Sequence, residues 1–156
     1  MKQLSDVGKM FISNEEVSWK MMQSYDVDYV MVVFGGMTGY ASDDIQNLLW
    51  MVNIAKENDA SISVNQYLWH SKNKRTSSFS IGKKKAPRKL TQSTLYKMCY
   101  SGWGNMQTDV DQEPGYDRVR KEVIGTHVHS MQYFEEKFTS KHWMVRVFKV
   151  KREPLL

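Results

Sequence analysis

Asp44, Asn47 and Met51 stand at i, i+3 and i+7 of a segment with helical apolar spacing. At about 100° per residue they share one stripe, some 110° round from the apolar one, and can together line a binding site. The same residues also fit ordinary duties: a turn aspartate, a solvated asparagine, and one of 11 methionines filling a gap. Two Asp-x-Asp pairs, Asp26/Asp28 and Asp109/Asp111, offer hard oxygen ligands of the kind that clamp a divalent cation near a diphosphate. Both pairs sit where turn-forming aspartates are expected. His127 and His129 can place two imidazoles on one side of a strand but lack a third ligand. The segment 35–39, Gly-Gly-Met-Thr-Gly, lacks the glycine order of a phosphate loop, and Asp43 and Asp44 after it repel phosphate. Cys99 lies in an apolar run and reads as a packed thiol; as the single cysteine it excludes an intrachain disulfide.

These residues need elements to hold them. Asn14 can cap a helix over about 14–24, with Glu15 and Glu16 in its dipole-favoured first turn and Val17, Met21 and Met22 at helical spacing. The run 29–34 is β-branched and aromatic throughout, which predicts a strand buried on both faces. Ser42 or Asp43 can cap a second helix running to about 56, with Ile45, Leu48, Leu49 and Val52 as its core stripe. Residues 95–100 predict a third helix, stopped by Gly102 and Gly104. Segment 118–124 reads as a strand, 134–138 as a short helical turn, and 143–150 as a closing strand. The expected fold is mixed α/β: a single soluble domain over 1–156, with a small central sheet, helices around it and long loops.

At 156 residues, 41% apolar and 25% charged, the chain fits one self-sufficient domain. It has no apolar run long enough to span a membrane and no signal peptide at its start. The net charge of +5 is local. Eight lysines and arginines fall within 72–89 with no acidic residue, leaving 14 positive against 17 negative elsewhere. Such a segment predicts a weak hairpin or basic flexible loop at about 70–90, and argues against nucleic acid as a partner.

The stretch 26–51, Asp-Val-Asp-Tyr-Val-Met-Val-Val-Phe through Gly-Gly-Met-Thr-Gly-Tyr-Ala-Ser to Asp-Asp-Ile-Gln-Asn-Leu-Leu-Trp-Met, closely resembles the catalytic subunit of the eukaryotic oligosaccharyltransferase. It is similar to the region just downstream of that family's Trp-Trp-Asp-Tyr-Gly motif. Collinear matches follow at 95–100, 114–120, 123–125 and 138–151, so the resemblance covers about 7–152 apart from the basic loop. It implies part of a glycosyltransferase that moves a glycan from dolichyl diphosphate to the asparagine of Asn-X-Ser/Thr in a nascent chain. The C-terminal lumenal domain of that family supplies the pocket for the Ser/Thr, combining the Trp-Trp-Asp motif with a helix bearing D-x-x-K-x-x-x-M. A hydroxyl needs a carboxylate or indole partner and a threonine methyl needs an apolar contact.

Carried over, that motif falls on Asp44, Asn47 and Met51 as acceptor-sequon-binding residues, with Asn47 where the family has lysine. No catalytic or metal-binding residue is expected in this chain; the family's Mn or Mg is held by a membrane portion that this chain lacks. The implied partners are the acceptor sequon, other oligosaccharyltransferase subunits and, through the membrane portion, dolichyl-diphosphate oligosaccharide. The implied location is the lumenal side of the endoplasmic reticulum, membrane-attached in the full-length family. Because the chain starts after the point where Trp-Trp-Asp-Tyr-Gly would stand, it is expected to be inactive alone. The rival reading is a non-catalytic orphan binding module from a truncated gene copy.

Overall fold

The computed structural model describes residues 2–125, 128 and 130–154. Five α-helices, α1 (Lys2–Ile12), α2 (Glu15–Ser24), α3 (Leu48–Lys56), α4 (Arg88–Thr91) and α5 (Thr94–Tyr100), pack with three small antiparallel sheets. The main sheet has the order β1 (Tyr29–Val33), β7 (Val145–Val150), β6 (Phe134–Thr139). The other two are the two-residue hairpins β2 (Trp69–His70) with β3 (Ser77–Ser78), and β4 (Tyr116–Asp117) with β5 (Glu122–Val123). The fold is mixed α/β, as the patterning predicts. Among the described residues no helix is long and apolar enough to cross a membrane.

The inner face of the main sheet, Val30, Val32, Phe148, Val150 and Phe134, closes on a core with α5, whose six residues from Leu95 to Tyr100 include five that are wholly buried. Phe34, just past β1, is buried edge-on against Tyr100 and Trp103, with ring centroids 5.0 Å apart in both pairs. Cys99 is a buried thiol whose ionisation burial pushes well above its ordinary range, so it packs as a small hydrophobe. Arg146 is buried too. It donates to the Met98 and Ser101 carbonyls at the end of α5, a cation at the negative end of a helix, and stacks over the Trp143 ring at 4.3 Å.

Several expectations are corrected. β1 is not buried on both faces: it is an edge strand pairing only with β7, and its outward Tyr29 and Met31 are 58% and 62% exposed. The 134–138 segment is no helical turn but strand β6, with a register shift between Glu136 and Phe138 that turns Phe138 outward. Its three consecutive charges suit an exposed strand once β7 is there to pair with it. Strand structure within 118–124 is confined to β5. The helix expected to start at Ser42 or Asp43 begins as a 3-10 turn, Ile45–Asn47, before α3. Helix α1 has no counterpart in the apolar pattern, because two of the four positions it buries are Ser5 and Gly8. A β-carbon at Gly8 would lie 2.9 Å from the Met51 carbonyl oxygen, so only glycine lets α1 approach α3 this closely.

Candidate acceptor-recognition site

Asp44, Asn47 and Met51 lie where β1 gives way, through the loop 35–42, to α3. The loop is tied back to the strand that precedes it. Asp44 accepts from the Val33 amide at 2.7 Å through Oδ2, while its own amide donates to the Val33 carbonyl at 2.9 Å. Asp43 accepts from the Gly35 amide at 2.7 Å and from the Gln46 amide at 3.2 Å. A side chain at Gly35 would overlap the Tyr40 carbonyl and one at Gly36 the Phe34 ring, so both glycines are demanded by close packing.

Across the loop sits Arg120. Its two guanidinium NH2 groups donate to the two Asp43 oxygens at 2.8 and 2.6 Å, and its Nε donates to Asp117 at 2.8 Å. Asp117 also accepts from the Tyr100 hydroxyl at 2.6 Å and from the Val119 and Arg120 amides. Asp43 and Asp117 are fully buried and the Arg120 side chain is nearly so. Every charge in this cluster is paired and hydrogen-bonded, as burial requires. Two residues before, the Arg118 amide donates to the Gly36 carbonyl at 2.8 Å and its guanidinium to the Met37 carbonyl at 2.9 Å. The Pro114-Gly115 turn thus delivers two arginines that clamp the loop carrying Asp44. Sequence spacing does not reveal these partners. The one available signal is an aspartate followed by two arginines, one residue apart, after a strong turn.

The 3-10 start of the helix affects the stripe. Asn47 donates its amide to the Asp44 carbonyl at 3.0 Å, an i to i+3 bond, and in a 3-10 turn residues three apart eclipse. Asp44 and Asn47 therefore sit on one line, with Met51 one α-helical turn further on. Asp44 is half-buried, Asn47 exposed with its side-chain amide donating at 3.3 Å to the Asp43 carbonyl, and Met51 half-buried against the core. Burial pushes the Asp44 carboxyl above its ordinary value; the Val33 amide pulls it back and the neighbouring Asp43 pushes it further. Among the described residues its Oδ1 has no hydrogen-bond partner.

Of the remaining candidates, Asp26 and Asp109 have structural roles. Asp26 adopts a positive φ of 56° in the turn after α2, and the Asp28 carbonyl accepts from the Val150 amide. Asp109 pairs with Arg118 at 3.3 Å. His127 and His129 lie outside the described residues. Among the described residues no three His, Cys, Asp or Glu side chains are grouped to hold a metal ion, and the carboxylates that do converge, Asp43 and Asp117, have a guanidinium between them. This donor set does not fit a divalent cation.

No family model matches the chain. It is 43% identical over 148 residues to the STT3 subunit of dolichyl-diphosphooligosaccharide–protein glycosyltransferase of Dictyostelium discoideum, covering 95% of the chain and 20% of that protein. It is 41% identical to the STT3B subunit of Oryza sativa subsp. japonica, again over 95% of the chain and 20% of the relative. The Caenorhabditis elegans subunit stt-3 is 38% identical, over 95% and 19%. Among solved structures, the C-terminal globular domain of oligosaccharyltransferase from Archaeoglobus fulgidus aligns at 15% identity with a TM-score of 0.44, covering 94% of this chain and 66% of that one. The chain spans about a fifth of the length of the curated relatives it matches. Identity of this order, over 95% of the chain, means that the chain belongs to the family of STT3 subunits of dolichyl-diphosphooligosaccharide–protein glycosyltransferase.

Proposed function

We propose that this chain is the acceptor-recognition part, from the C-terminal region, of an oligosaccharyltransferase catalytic subunit that glycosylates asparagine in proteins. The observation that carries the reading is the Asp44–Asn47–Met51 line, half-open to solvent and held from behind by the Arg120 clamp, in a chain akin to STT3 subunits. The hydroxyl of a sequon Ser or Thr donates to Asp44 Oδ1, the threonine methyl packs on Met51, and the Asn47 amide holds the hydroxyl oxygen or a neighbouring carbonyl. Asp44 must be ionised for this, and its bond to the Val33 amide fixes the carboxylate plane. Bond making at the asparagine, the dolichyl-diphosphate donor and any divalent cation belong to the larger remainder of such a subunit. The assembled enzyme acts with its other subunits at the lumenal face of the endoplasmic reticulum membrane.

The test is to fuse this chain to the upstream portion of an STT3 relative and titrate it with Asn-Ala-Thr and Asn-Ala-Ala peptides. The threonine peptide binds at least about tenfold more tightly, and Asp44→Asn or Met51→Ala removes the difference. Discrimination that survives both substitutions would place recognition elsewhere.

A further inference from the structure

The basic segment is a built surface. Glu122 anchors its middle, accepting from the Ser80 hydroxyl and, at 3.1 Å, from the Ile81 amide, and the Lys83 amide donates to the Val123 carbonyl at 2.9 Å. The turn that follows closes with an Ala86-to-Gly82 bond of 2.9 Å and leads into α4. Lys85 then lies over the Trp69 ring at 4.6 Å, which brings the β2–β3 hairpin and the 82–89 turn onto one side of the molecule. The hairpin tip presents Lys72, Lys74 and Arg75, the turn Lys84, and the start of α4 Arg88 and Lys89; all six are exposed.

Their charge is not spent internally. Among the described residues, seven of the 14 lysines and arginines outside 72–89 form an ion pair, but within it only Lys83 does, with Glu113 at 2.9 Å. Concentrated, unpaired and fixed in place, these cations are a surface for an anionic partner. We propose that it docks an acidic polypeptide segment. Three observations choose that occupant. At the rim of the groove of about 340 Å³ beside Lys83–Lys85, Lys83 pairs with the exposed carboxylate of Glu113 at 2.9 Å, which shows a carboxylate can reach these lysines. Six of the eight cations are lysines, point charges suited to scattered carboxylates, whereas bidentate phosphate recognition calls for arginine forks. The half-buried Trp69 ring carries Lys85 over it, and no large apolar side chain between 51 and 109 is exposed, so neither base stacking nor insertion into a bilayer has an open platform. The proposal does not depend on the acceptor-site reading.

The experiment measures binding of the full chain to a labelled peptide of about a dozen residues rich in glutamate, to vesicles containing phosphatidylserine, and to oligouridylate, at matched ionic strength. The expected result is preferential binding of the peptide, weakened about tenfold by raising salt from about 50 to about 300 mM. Replacing Lys72, Lys74, Arg75, Lys84 and Arg88 by Gln weakens it at least about tenfold, while replacing Lys2, Lys56, Lys141, Lys149 and Arg152 by Gln leaves it within about twofold. Thermal unfolding confirms that both variants fold. Equal weakening by the two sets reduces the effect to net charge and overturns the proposal. Tighter binding of vesicles or RNA than of peptide, or no peptide binding, overturns it as well.

Discussion

Arg120 holds Asp43 through two parallel hydrogen bonds of 2.6 and 2.8 Å, joining residues 77 positions apart in a setting almost free of water. Asp43 is the residue before the proposed ligand-binding Asp44, so the pair fixes the backbone from which that carboxylate projects. A bidentate guanidinium–carboxylate contact restrains orientation as well as distance.

Removing either partner should be costly. Arg120→Met leaves two buried carboxylates, Asp43 and Asp117, without their cation; Asp43→Ala leaves the guanidinium with one. Each is expected to destabilise by about 3–5 kcal/mol in chemical denaturation, because an uncompensated buried charge remains. Arg120→Lys keeps the charge but not the fork, and should recover only part of the loss. A cost below about 1 kcal/mol for Arg120→Met would mean the clamp does not hold the loop.

The glycines of the loop should separate by cause. At Gly35 a methyl group collides with the Tyr40 backbone, which cannot give as a flexible side chain can, so Gly35→Ala is expected to cost about 3 kcal/mol or more. Gly39 has a φ of 89° and open space around it, so Gly39→Ala carries only conformational strain, about 1–2 kcal/mol. Equal losses from the two in thermal melts would contradict this packing account.

What the sequence displays follows from which interactions are local. The N-cap of α2 is legible at Asn14, which accepts from the Val17 amide at 3.0 Å, and of the stripe Ile45, Leu48, Leu49 and Val52 all but the half-buried Leu49 are fully buried. α5 is visible as an apolar run. By contrast, α1 is concealed because Ser5 and Gly8 pack by being small. β6 is concealed because its strand character comes from pairing with β7 rather than from its own composition. Asp44, Asn47 and Met51 can be found by pattern; the arginines that position them cannot, since nothing in residues 43 or 120 encodes a partner 77 positions away.

Asp44 gives opposite pH trends for stability and binding. Its folded carboxyl is raised above the unfolded value, chiefly by burial, so the folded state binds more protons in the window just above the ordinary carboxylate range. Stability contributed by this group is therefore present below that window and lost as pH rises through it. The proposed sequon binding needs the ionised form and should rise through the same window. Denaturation curves of the wild-type chain and Asp44→Asn should differ in slope there, with the carboxyl followed directly by NMR. A carboxyl titrating at or below its ordinary position would refute the expectation.

Asn47→Lys tests whether the polar line acts as a unit. Asn47 is exposed and its side-chain bond to the Asp43 carbonyl is long at 3.3 Å, so the substitution should change stability by less than about 0.5 kcal/mol. A lysine eclipsed with Asp44 on the 3-10 turn would place a cation beside that carboxylate and lower its pKa, counteracting the push from burial. In the fused chain described above, the onset of threonine-peptide binding should accordingly move to lower pH. The methyl contact on Met51 is untouched, so the gain should be similar for serine and threonine peptides. A pH onset that stays put in Asn47→Lys would show that positions 44 and 47 do not face a common ligand, and the proposed line would then be three unrelated side chains.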